Sequence, residues 1–145
     1  MSAGHDPFDA LMAEAVAGSP HFGHREHVRL TWAAVRRHGT AEAIVLVSQG
    51  IQRTARYAGA PQKYHATMSR AWVELVGHHV EHSVAADFDA FAADNPELRD
   101  KRLLARFYRS STLAGGQARA GWVAPDLAPF PWTAGAHSQR RTREQ

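Results

Sequence analysis

The amino-acid sequence predicts an all-α fold: a single-domain helical bundle of about five to seven helices, closed by an extended Pro-rich C-terminal segment. Three observations carry that expectation. Apolar residues recur at three- and four-residue spacing in one segment after another. Capping residues and Pro or Gly breaks separate those segments. No stretch alternates as a half-buried strand would, and no internal repeat is present.

Asp6-Pro7 reads as an N-cap followed by Pro in a first turn, and Phe8, Leu11, Met12, Ala15 and Val16 then repeat at helical spacing as far as about Ala17. A second helix starts near Phe22 to His24 and carries Val28, Leu30, Trp32 and Val35 to a stop at Gly39, with Arg36, Arg37 and His38 suited to its negative end. Thr40 caps a third, Ala41 to Tyr57, with Ile44, Val47, Ile51 and Ala55 on one stripe, ended by Gly59-Ala60-Pro61. The fourth begins between Lys63 and Thr67 and holds Met68, Ala71, Trp72, Leu75, Val76 and His79 on one side. A short fifth helix contains Phe88 and Phe91, and Asn95-Pro96-Glu97 opens a sixth to Tyr108. A brief helix through Leu113 and Ala118 follows, after which Pro125, Pro129 and Pro131 impose an extended path. Residues 1–132 are therefore read as one helical domain and 133–145 as a disordered basic tail.

A chain of 145 residues fits one hydrophobic core and leaves no room for a second. With 44% hydrophobic and 21% charged residues it is too apolar to stay unfolded, yet no apolar run is long enough to cross a bilayer. Asp6 and Glu14 stand where a secretory leader would be basic and then apolar, so a cytoplasmic location without a membrane partner is expected. The absence of cysteine excludes disulfides, thiolate zinc sites, iron–sulfur clusters and a cysteine nucleophile. Net charge is only +3, drawn from fifteen Arg against two Lys, which does not call for a nucleic-acid partner. No Gly-rich phosphate loop and no Gly-x-Ser-x-Gly elbow occurs.

Histidine is the compositional anomaly, with ten copies. On a helical wheel Arg25, Glu26, Arg29, Arg36 and Arg37 gather in one sector of about 120°, the expected wet face. His24 and His27 fall outside it, beside Val28, Thr31 and Val35, and face the interior one turn apart with Cβ atoms about 5–6 Å from each other. His65, in Lys63-Tyr64-His65-Ala66-Thr67, shares the apolar side of the fourth helix with Met68, Trp72 and Val76. Three inward imidazoles with a fourth position open suit a divalent transition metal, whether zinc, copper or iron, so His24, His27 and His65 are the expected ligands. With Tyr64 and Thr67 they are also the expected catalytic residues. His79 faces inward as well, but lies roughly 21 Å further along the axis and cannot join the same ion. Metal-free acid–base work by a histidine needs an orienting carboxylate, for which Glu74 is the nearest candidate. Arg99, Arg102, Arg106 and Arg109 align on one edge of the sixth helix, which reads as a solvated face before an anion site.

Taken together, Phe22-x-His24-x-x-His27, the stretch Val28 to Trp32, Tyr64-His65-x-Thr67, Asn95-Pro96, Phe107-Tyr108 and Val123-x-Pro125-Asp126-Leu127 resemble a widespread set of small bacterial all-helical proteins sharing F-x-H-x-x-H and Y-H-x-T motifs. The resemblance spans Phe22 to Leu127. It implies an all-helical fold and leaves the chemistry open. Ala66 departs from the pattern, which carries an acidic residue after Tyr-His.

The resulting expectation is a small metal-dependent enzyme, a lyase, hydrolase or oxidase, acting on a small molecule by hydrolysis, elimination, isomerisation or oxidation. A homodimer is compatible with it. The competing reading is a non-catalytic binding or interaction protein whose buried histidines are structural, each nitrogen satisfied by a carbonyl or hydroxyl.

Overall fold

A computed structural model describes residues 6–19 and 21–132, so the expected basic tail at 133–145 lies outside the described residues. The fold is all-α. Six α-helices lie within the described residues, in the order α1 (Pro7–Val16), α2 (His24–Tyr57), α3 (Ala66–Glu81), α4 (Phe88–Asp94), α5 (Ser110–Ala114) and α6 (Gly116–Ala120). Short 3-10 turns at Pro61–Lys63, Pro96–Arg99 and Leu103–Arg106 connect them, and no strand occurs among the described residues.

The boundaries follow local chemistry. Asp6 caps α1, its carboxylate accepting from the Phe8 N–H at 2.8 Å ahead of Pro7. Glu26 closes the start of α2 by accepting from the Gly23 N–H at 2.8 Å and from the Ser19 hydroxyl at 2.7 Å. Those two hydrogen bonds hold its carboxyl below the usual range, Ser19 contributing most.

α2 is one continuous run only nominally. Gly39 sits at φ 83° and ψ 163°, a conformation that glycine alone adopts readily. In a straight helix His27 and Ile51 would be about 36 Å apart. Both border one cleft, so the chain doubles back at Gly39 into two arms, matching the two helices read from the sequence on either side of it. α3 packs against α2, and α1 lies on the second arm, where a Cβ on Gly50 would come 2.1 Å from the Phe8 ring. Leu30, Ala34, Val47, Trp72, Val73 and Val76 form the centre of the core. Phe91, Leu98, Leu104, Tyr108 and Phe130 close one side of it. Each Val, Leu and Phe among them contributes about 1.5–3 kcal/mol by leaving water.

The sixth helix expected over Glu97 to Tyr108 does not form; two 3-10 turns replace it. Asp100 is extended between them, and its carboxylate accepts from the Arg102 N–H at 2.9 Å, a local bond that competes with helix propagation. Arg99, Arg102, Arg106 and Arg109 are all exposed but share no helical edge, because Arg109 belongs to the start of α5. The wet face expected for the first arm of α2 is likewise partly covered. α4 lies across it, with Asp89 paired to Arg25 at 2.7 Å and Arg29 drawn over the Phe88 ring.

From Gly121 to Phe130 the chain is irregular, as its prolines require. Specific bonds hold it down. The Tyr108 hydroxyl donates to the Val123 carbonyl at 2.6 Å, and Asp126 accepts from the Arg109 N–H and the Thr112 hydroxyl. No helix among the described residues is long and apolar enough to cross a membrane.

Candidate functional site: a histidine cleft between the arms of α2 and the start of α3

The first turn of α2 supplies His24 and His27, and the segment entering α3 supplies Lys63, Tyr64 and His65. Together with Ser69 and Lys101 they border a cleft of about 420 Å³ whose apolar walls are Phe22, Ile51, Met68 and Trp72. His24, His27, Tyr64 and His65 thus meet in one place. Thr67 does not. It is buried, donates to the Gly121 carbonyl at 2.7 Å and accepts from the Val123 N–H at 3.0 Å, which makes it a staple for the C-terminal segment.

The three imidazoles have different commitments. His65 is the N-cap of α3: its Nδ1 accepts from the Met68 N–H at 3.1 Å, which leaves the proton on Nε2 to be donated to the Leu113 carbonyl at 2.8 Å. Placed so, His65 has no lone pair left for an ion. His24 donates from Nε2 to the Leu98 carbonyl at 2.8 Å, and its ring packs edge-on against Trp72 with centroids 4.8 Å apart. Its Nδ1 is therefore an acceptor without a protein partner among the described residues. His27 makes no hydrogen bond among the described residues and lies edge-on to Phe22. Burial, followed by the adjacent His24, lowers its pKa to about 4, so it is a neutral imidazole at neutral pH.

Among the described residues no group of three His, Asp or Glu side chains is disposed to hold a metal ion. The commitment of His65 to Met68 and Leu113 is the physical reason that the expected triad is not assembled for that purpose. Nor does Glu74 orient any of the three. It pairs with Arg70 at 2.7 Å and faces a different hollow, beside His78 and Glu81. His79, expected to face inward, is bonded through Nδ1 to the Leu75 carbonyl and through Nε2 to Glu97 at 2.9 Å.

Sequence reasoning missed the lysines. Lys63 and Lys101 are the only two in a chain with fifteen arginines, and both stand on this cleft, whose described lining includes no Asp or Glu. The ratio was visible in the composition. Their meeting was not, because Lys101 arrives on the segment between the two 3-10 turns that replace a helix.

Compared with family models, with curated proteins and with solved structures, the chain matches none, so the site is read from its own geometry.

Proposed function

We propose that this chain is a small cytoplasmic enzyme that binds a small anionic molecule in the histidine cleft and moves a proton on it. The observation that carries the reading is the composition of the cleft: two lysines, no carboxylate residue among its described lining, and one neutral imidazole with unspent nitrogens. Lys63 and Lys101 attract the anion, and the Phe22, Ile51 and Trp72 walls exclude water from its body.

His27 is the group suited to take the proton. Its pKa near 4 makes it a weak base, because burial and His24 both penalise the imidazolium. A bound anion offsets both penalties and raises the pKa toward the neutral range where proton transfer is most effective. The base is thereby strengthened by its own substrate. The proton taken by His27 is returned to another atom of the substrate in an isomerisation, or delivered to the departing group in an elimination. Tyr64 stands on the same cleft with a hydroxyl able to donate, and His24 Nδ1 offers a fixed acceptor.

The test is turnover in pooled small carboxylates and phosphate esters, followed by proton NMR in D2O. Wild-type protein should exchange or convert at least one compound, and His27→Gln should lose about 10²–10⁴-fold of that rate. Equal rates in the two proteins, or no change in any pool, would contradict the reading.

A second reading is favoured by one specific observation: His24 and His27 stand one turn apart on α2, each with a lone pair that no described residue uses. A metal-dependent enzyme would place zinc, copper or iron on that pair, with His65 as third ligand after releasing the Met68 N–H. Elemental analysis of untagged protein decides between the two. Stoichiometric metal that is lost in both His24→Ala and His65→Ala would establish the metal reading in place of the first.

A further inference from the structure

A second cavity, of about 170 Å³, lies between the first arm of α2 and α4 and shares only His24 with the cleft. Its walls are Val28, Phe88, Phe91 and Leu98, all buried side chains. The hollow is bounded by core residues on one side and opens to solvent beside the exposed Arg25 and Arg99. It falls in the size class that accepts a benzene-sized apolar body.

The polar groups on this cavity are committed, with one exception. His24 donates to the Leu98 carbonyl at 2.8 Å, and the Asn95 amide donates to the Phe91 carbonyl at 2.9 Å. Arg25 is paired with Asp89 at 2.7 Å. Arg99 is exposed and takes part in no ion pair among the described residues. A free guanidinium beside an apolar hollow matches a ligand with a flat apolar body and one carboxylate, which the planar fork can hold through two parallel hydrogen bonds. The two rings in the wall, Phe88 and Phe91, with centroids 6.5 Å apart and planes inclined at 37°, favour an aromatic body inserted against them.

We propose that this cavity is a binding site for a small aromatic monocarboxylate, with the ring seated among Val28, Phe88, Phe91 and Leu98 and the carboxylate on Arg99. The site shares His24 with the histidine cleft, but its ligand is held by Arg99 and the apolar walls alone, so it stands independently of the chemistry assigned there.

Benzoate is the probe, with benzamide as its uncharged match, each titrated into ¹⁵N-labelled full-length protein. Benzoate should shift the amide resonances of Val28, Phe91, Ala92 and Leu98 with an affinity of about millimolar or tighter, and benzamide should bind about tenfold more weakly. Arg99→Gln should bring benzoate down to the benzamide level without changing benzamide itself. Ala92→Phe, which projects a ring into the cavity, should abolish both while the circular dichroism spectrum stays helical. If Ala92→Phe unfolds the chain, the Arg99→Gln comparison alone decides. Benzoate and benzamide binding equally well, benzoate binding unaltered by Arg99→Gln, shifts confined to residues of the histidine cleft, or no shift with either probe would each overturn the proposal.

Discussion

His27 concentrates the consequences of the site in one side chain. Its folded pKa of about 4 lies below the value near 6.5 of an unfolded histidine, so between those values the unfolded chain binds a proton that the folded chain refuses. Stability contributed by the neutral ring is therefore complete above pH 6.5 and is lost as pH falls toward 4. The difference amounts to about 3 kcal/mol. Denaturant unfolding of wild type and His27→Gln at a series of pH values should show a shallower loss in the variant across that window. Helical spacing alone brought His24 and His27 to one inward side, because both lie on the same helix and the wheel needs no tertiary knowledge. It could not say which nitrogens were spent. The carbonyls that engage His24 and His65 belong to Leu98 and Leu113, distant in sequence and invisible to periodicity.

At the level of the elements, the start of α3 and the fold-back of α2 hold the cleft in shape. His65 caps α3 through Nδ1 and ties it to Leu113 through Nε2, so His65→Ala should cost about 1–3 kcal/mol in denaturant unfolding. His65→Asn keeps a good capping side chain and should recover part of that loss, whereas equal destabilisation by Ala and Asn would count against the capping role. Gly39→Ala should cost about 1–3 kcal/mol, because a Cβ is strained at φ 83° and ψ 163° even though nothing crowds the position. A thermal unfolding midpoint unchanged by that substitution would contradict the fold-back. Gly39 was legible as a helix stop, as were Asp6-Pro7 and Gly59-Ala60-Pro61, since such residues act through their own backbone preferences. The segment from Pro96 to Tyr108 was misread for the opposite reason. Its Leu98, Leu103, Leu104 and Tyr108 are all buried, but Asp100 binds its own neighbouring backbone and divides the run.

For the molecule as a whole, an all-helical bundle with one core was readable from composition and periodicity, and the convergence of distant segments was not. The histidine cleft draws on the first turn of α2, its second arm, the entry to α3 and the loop holding Lys101. Only the first and third of these were read as parts of a site. The two lysines mattered because of where the chain carried them, and a count of imidazoles in the sequence does not tell which hydrogen bonds they make. The central claim is that this cleft receives an anion through Lys63 and Lys101 and that His27 responds to it. Histidine ring-proton NMR, recorded against pH with and without small carboxylates and inorganic phosphate, tests it most directly. His27 should titrate near pH 4 in the unliganded protein, and at least one of these anions should raise that midpoint in wild type but not in the Lys63→Met/Lys101→Met double variant. A His27 midpoint near 6.5 without ligand, no anion that moves it, or the same anion-induced rise in the double variant would contradict the account.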